Sequence, residues 1–574
     1  MGWFQVTVEF VLQVTQLNPF SPIIVDQDAA QKPLGLPKQV SHDPGFPSVP
    51  GVDVLPKATF ECHYPELEAQ GWEFCNTETS RDCWIRDPTA NTPSFTQYDV
   101  RTNYEERKNT PKGITREYWL DVTENPDLKP DGIEKTKGKY FNGTYPGPII
   151  EACWGDQIVV HVTNKVTDNG TTIHWHGIRQ LGTNEMDGVN GVTQCPIAPN
   201  DTFTYNFTAM QYGHSWYHSH YSSQYPDGLA GPLVIHGPSS ADWDIDLGPI
   251  MISDWVHETA FLAFEAEMTQ DVNDLPPATD SMLVNGIGHF NGSTDGPYYE
   301  TVFTPGKNHT LKLINGASGT SFNFRIDGHN LTVIANDLVA VQPFTVEELF
   351  IGIGQRYTVI VEGKDDTSTD YWIRTTPATA CAFFGLPGAP TTPIVDNRTA
   401  IVRYDASRKG STQLPQDVGG QPNTTCADVE PALLNPIVPW CVDQHPQNNV
   451  TRDTFEAGKP QEPPIFGPPG APYVHWKLGE LPMWLDFDKP TILNINESID
   501  NPYYRVVEER YDRGFIYVIL ESPDNTTVGP IIPHPMHLHG SDFVVLGQGN
   551  TPWDEATSPE QYFNYDNPLE GTRL

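Results

Sequence analysis

The chain has 574 residues, 38% hydrophobic and 19% charged, a globular balance rather than a disordered one. That length exceeds one ordinary core and fits about three domains. Asp and Glu total 73 against 34 Lys and Arg, and the net charge of −39 repels phosphate backbones, which argues against nucleic acid as a partner.

Met1–Ile24 is fairly apolar, but Glu9 interrupts it and no basic stretch precedes it, so it reads as an atypical export signal or a misplaced start. Residues 25 to about 70 are rich in Pro, Gly and Asp without a period, as in a mobile lead-in. Short runs rich in β-branched and aromatic residues follow, among them Gln157–Thr163, Phe203–Thr208, Leu331–Ala335 and Tyr357–Val361. Bounded by Gly, Pro, Asn and Asp, they predict an all-β chain of stacked antiparallel sheets. The predicted helical exception is Glu258–Met268. Composition shifts at Gly237–Asp242, after the strand-like Leu233–His236, and across about 405–471 divide the chain. The resulting plan is a lead-in over 1–74, β domains over 75–238 and 239–410, a linker over 411–471 and a third β domain over 472–574.

No stretch reaches the roughly 18–20 apolar residues of a membrane span. Eight cysteines (62, 75, 83, 153, 195, 381, 426 and 441) form no CxxC pair, which argues against a zinc ribbon or a thioredoxin-like centre. Twelve Asn-x-Ser/Thr sequons are spread from Asn142 to Asn525. Beside dispersed cysteines they predict a secreted, extracellular glycoprotein with disulfides.

Three histidine clusters carry the chemistry: Thr172-Ile-His174-Trp-His176-Gly177, Trp216-Tyr-His218-Ser-His220 and His534-Pro-Met-His537-Leu-His539-Gly540. Residues two apart in a strand share a face, so each His-x-His pair can present two imidazoles to one metal or to two neighbouring metals. Neutral imidazole suits copper, zinc, iron and nickel, and the affinity order favours copper. A single such pair is more often surface or satisfied core. Three clusters holding 7 of the 18 histidines predict a polynuclear metal site, and His214, His236, His257 and His329 are left as ordinary structural residues.

These motifs resemble the first three copper motifs of the multicopper oxidases, and their flanks are similar to ascomycete-type laccases from about Cys75 to Pro568. Asp187-Gly-Val-Asn-Gly-Val-Thr-Gln-Cys195, Gln211-Tyr-Gly213, Asp327-Gly-His-Asn330 and Gly354-Gln-Arg-Tyr357 share in the likeness. The resemblance implies three cupredoxin-like (plastocyanin-like) Greek-key domains and four coppers. His174 and His537 would bind the type 2 copper, His176 and His218 one type 3 copper, His220 and His539 the other, and His534 the type 1 copper. Asp187 matches a family acid that hydrogen-bonds water near the cluster; a turn-capping role before Gly188 carries equal weight. Activity would couple one-electron oxidation of a small, phenolic or related donor to four-electron reduction of O2 by a monomer with no membrane span. Cys75–Cys83 and Cys381–Cys426 match family disulfides, and the family partner of Cys195 lies beyond residue 574. Cys62, Cys153 and Cys441 stay unassigned.

Two departures qualify the likeness. The family's fourth motif, His-Cys-His followed by another His, is absent: no cysteine follows Cys441 and no histidine follows His539. The third domain then reads as incomplete, its motif from His534 to His539 as frayed, and the chain as an inactive or truncated β protein. Second, laccases often set a carboxylate beside the type 1 site, and the matching Ala317-Ser-Gly-Thr320 has none, which leaves a ferroxidase-type relative as an alternative.

Overall fold

Alternating burial along short strands builds the first pair of sheets. The computed structural model describes residues 9–10, 38–40, 60–89, 96–104, 107–262, 279–290, 297–379, 396–440, 442, 450–457, 476–478, 483, 485–494, 517–521, 535–548 and 563–571. Seven strands lead: β1 (Thr115–Glu124), β2 (Ile150–Cys153), β3 (Gln157–Asn164), β4 (Ile173–His176), β5 (Thr202–Thr208), β6 (Gly213–Ser219) and β7 (Ala230–His236). They form sheets in the order β4-β6-β7-β2 and β5-β3-β1. On β3, Ile158, Val160 and Val162 are buried while their neighbours are half-exposed, and Tyr118, Leu120 and Val122 repeat the pattern on β1. These side chains meet Trp154, Trp175, Tyr217, Leu233 and Ile235 in one core, where each large apolar side chain contributes about 1.5–3 kcal/mol.

One charge pair lies inside this unit. Arg116 donates to Asp156 at 2.8 Å, and the same carboxylate accepts the N–H groups of Ile114 and Cys153, each at 2.8 Å. Both side chains are fully buried, so these bonds replace the water the charges lose.

Further on, β8 (Ile245–Trp255), β9 (Asn308–Asn315) and β10 (Arg356–Glu362) belong to a seven-stranded sheet. Leu311, Leu313, Val333 and Val359 of that sheet pack against Phe322, Phe324, Ile373 and Val402 of a five-stranded one. Trp216 and Ala230 of the first unit join Met251, Trp255 and Ile314 of the second in a separate apolar cluster. Beside it His214 of β6, fully buried, donates from Nε2 to the Leu313 carbonyl at 3.1 Å and accepts at Nδ1 from Thr358 at 3.2 Å. Later strands include Val450–Ala457, which pairs with Trp476–Leu478 and Tyr517–Glu521, and Phe543–Val545, which pairs with Leu569–Gly571. Between them β11 (His537–Leu538) runs parallel to Glu9–Phe10.

The four strand-like runs named above are strands, as the sequence predicts. Of the predicted helix Glu258–Met268, residues 260–262 are helical and 263–268 lie outside the described residues. The lead-in is not loose at its end. Tyr64 is fully buried, its hydroxyl donates to the Trp154 carbonyl at 2.8 Å, and Cys62 is bonded to Cys153. Cys75 and Cys83 are joined. Cys426 is disulfide-bonded, but Cys381 and Cys441 lie outside the described residues. Cys195 is an exposed free thiol. Among the described residues no helix is long and apolar enough to cross a membrane.

Candidate metal centre

Strands β4 and β6 pair antiparallel with His174 opposite His218, Trp175 opposite Tyr217 and His176 opposite Trp216. Trp175 points into the core, with ring centroids 5.1 Å from Phe207 and 5.3 Å from Tyr205. Period-two alternation therefore turns His174 and His176 to the opposite face, beside His218. The Tyr205 hydroxyl accepts the Ile173 N–H at 2.9 Å and fixes the start of β4. Tyr205→Phe leaves that buried donor unpaired and should lower unfolding stability by about 1–3 kcal/mol. Urea denaturation reads this, and an unchanged midpoint and slope would mean that the N–H has another acceptor.

The turn around β11 completes the cluster from the far end of the chain. His537 Nε2 lies 3.3 Å from His174 Nε2, and His176 Nδ1 lies 3.4 Å from His218 Nε2. The His537 ring stacks on His176 with centroids 3.9 Å apart and 7° between planes, and the His539 ring lies 3.9 Å from His174. His220, half-buried, has its ring 5.1 Å from that of His539. Two sets of ring nitrogens, those of His174, His176 and His218 and those of His174, His537 and His539, each fall within 4.8 Å of one another.

The outer nitrogens fix the tautomers. His174 Nδ1 donates to the Asp187 carbonyl at 2.8 Å, His218 Nδ1 to the Ser219 carbonyl at 3.0 Å, and His539 Nδ1 to Asp187 Oδ2 at 2.9 Å. With each Nδ1 holding the proton, each Nε2 keeps its lone pair, the state a metal ligand needs. Burial, then the neighbouring imidazoles, holds His174 below its ordinary pKa; burial and His174 hold His218 well below its own. Burial alone would raise the Asp187 carboxyl, but His174 and His539 outweigh it and keep it below the usual carboxylate range. His174 and His218 are thereby disfavoured as cations beside one buried carboxylate. Nitrogens facing each other at 3.3 and 3.4 Å cannot all carry protons, so the donor set fits cations between them.

The fold brings together His174, His176, His218, His220, His537, His539 and Asp187; His534 lies outside the described residues. Of the motif expected to fray, residues 535–539 are described, and His537 and His539 lie against His174 of β4. His537 and His539 are buried, and Gln180 N–H donates to the Gly540 carbonyl at 3.0 Å. Ala317–Thr320, which has no carboxylate of its own, is held by a side chain from another strand. A carboxylate is present there, supplied by Asp254 of β8, which accepts the Ser318 N–H at 2.9 Å and the Gly319 N–H at 2.8 Å. No local window contains it, because Asp254 and Ser318 are 64 residues apart. Sequence reasoning also missed Asn190, whose Oδ1 lies 3.4 Å from His220 Nδ1.

Three models described as multicopper oxidase match residues 122–240, 246–407 and 474–572. The chain is 42% identical over 505 residues to Laccase-2 of Botryotinia fuckeliana, covering 86% of this chain and 79% of that protein. It is 37% identical over 541 residues to a laccase of Arthroderma benhamiae, covering 92% and 80%. The crystal structure of a laccase from Botrytis aclada superposes with a TM-score of 0.75 at 40% identity, covering 88% of this chain and 86% of that one.

Proposed function

The chain belongs to the multicopper oxidase family, a copper oxidoreductase of nearly all-β, cupredoxin-like build, and from that premise we propose a laccase-like oxidase of phenolic or related small donors. The observation that carries this is the convergence of imidazoles from β4, β6 and the β11 turn on one site, with three of their tautomers fixed for ligation. In this reading His174 and His537 hold the type 2 copper, His176 and His218 one type 3 copper, and His220 and His539 the other, with His534 a type 1 ligand. Copper held there supplies one-electron couples grouped closely enough for the four-electron reduction of O2 to water.

The chain's own residues do the rest. Asp187 accepts from His539 and, through its main-chain oxygen, from His174, so one residue orients ligands on two segments. Kept anionic, its carboxylate holds the His539 ring by its Nδ1–H and leaves Nε2 free to ligate. Disulfides and twelve sequons support secretion.

The finer part of the proposal concerns the thiolate. No cysteine follows Cys441, so residues 1–574 hold no His-Cys-His segment for a blue site. Loaded with Cu(II) and dialysed, this polypeptide should retain copper but show no intense thiolate-to-copper absorption. His174→Ala should release most of that copper, since His174 belongs to both nitrogen sets. Equal retention by the variant would overturn the ligand assignment, and a blue band would overturn the missing thiolate.

A further inference from the structure

We propose that Arg179 and Asp542, joined by Gln211, are positioning residues: a buried latch that holds His537 and His539 in register with His174, His176 and His218. The inference rests on the copper reading above. Arg179 lies three residues after His176, and Asp542 three residues after His539. Three residues span at most about 11 Å, so the latch closes within a short reach of ligands on both segments. The Arg179 Nη2 donates to Asp542 Oδ2, with side-chain exposures of only 9% and 7%. Gln211 Nε2 donates to the same oxygen at 2.9 Å, while its Oε1 accepts the Arg179 N–H at 3.3 Å. The same two segments also meet where the Gln180 N–H donates to the Gly540 carbonyl at 3.0 Å.

The latch ties the first and last matched regions, and the second also feels it. Burial lowers the pKa of Arg356, and the nearby charges of Asp337 and Asp542 oppose that shift. Asp542 is therefore where charges from all three matched regions meet. His174 and His537 stand 363 residues apart in sequence, and so do Arg179 and Asp542. Facing imidazoles on separate segments need a fixed separation, and backbone pairing within either segment cannot set it. A buried charge-assisted pair beside them does.

The test uses the full chain and Cu(II) alone. Asp542→Asn keeps the shape and removes the charge; Asp542→Glu keeps the charge. Partners outside the ligand shell typically cost about 10–100-fold in metal affinity when changed. Asp542→Asn should weaken Cu(II) binding by about that factor and alter the paramagnetic resonance spectrum of bound copper. Asp542→Glu should recover most of the loss. His537→Ala serves as the ligand control: if it binds like the parent chain, the ligand assignment fails rather than the latch. Hydrogen exchange on metal-free protein tests the latch independently. Amides of residues 537–545 should exchange at least tenfold faster in Asp542→Asn, and those of β3 should not change. Unaltered exchange at 537–545, or Cu(II) binding by Asp542→Asn within twofold of the parent with the same spectrum, would overturn the latch.

Discussion

Copper-loaded polypeptide of residues 1–574 should oxidise phenolic donors at the rate of free copper in air, and fusion of a segment carrying His-Cys-His should raise turnover by about 10⁶-fold or more. The reasoning is chemical. A laccase-type cycle needs a site that accepts electrons one at a time and a covalent path from it to the oxygen-reducing cluster. Thiolate ligation supplies the first, and the His-Cys-His sequence supplies the second by flanking that thiolate with cluster imidazoles. Residues 540–574 contain neither Cys nor His. On the proposed assignment residues 1–574 supply two imidazoles for each ion of the cluster, so copper retention and turnover should separate in this polypeptide. An oxygen electrode with a phenolic donor decides it. Sustained oxygen uptake by residues 1–574, above a free-copper control, would overturn the expectation.

Acid should destabilise the junction of the first two units through His214. Burial is the largest cause, and it takes the His214 pKa from 6.5 down to about 3. Its Nε2–H donates to Leu313 and its Nδ1 accepts from Thr358, so the native state requires the neutral ring. The sign follows from proton uptake. Above pH 6.5 neither state binds the proton and the contribution is fully present. Between about 6.5 and about 3 the unfolded chain binds one proton more, so stability falls by about 1.4 kcal/mol per pH unit. The total, on the order of 5 kcal/mol, rivals the lower end of typical domain stability, roughly 5–15 kcal/mol. His214→Gln keeps a donor and an acceptor without the titration. The difference in unfolding free energy between parent and variant should therefore shrink or reverse as pH falls through that window. Parallel pH profiles for the two proteins would show that His214 does not titrate on unfolding.

Much of this architecture was legible before any coordinates. Ile158, Val160 and Val162 write their burial into the sequence by alternation, and His174 and His176 write a shared face by the same period. Trp175 between them turns to the core by the same alternation, beside Tyr205 and Phe207. His214 and His257, read as ordinary structural residues, do find partners within the protein. The rest depended on docking. Asp254 reaches Ser318 and Gly319 from another strand, Arg179 meets Asp542 across 363 residues, and Cys62 meets Cys153 across 91. None of these is written in a local window. The end of the lead-in was misread for the same reason: its Pro- and Gly-rich composition describes an unperiodic path, and only Tyr64 in the core and Cys62 in a disulfide reveal that the path is pinned. The contact of the last copper motif with His174 and Gln180 is likewise set by docking and not by a local window.

The bond from Cys62 to Cys153 also governs how damage to this protein is seen. It closes a covalent ring over a sequence separation of 91 residues, and the Cys75–Cys83 bond closes a smaller ring inside it. A protease that cuts once anywhere between Cys62 and Cys153 produces no separate fragment, because both pieces stay on the same molecule until the sulfurs are reduced. Nicked and intact chains therefore migrate with the same mass on a non-reducing gel and part company only when thiol is added.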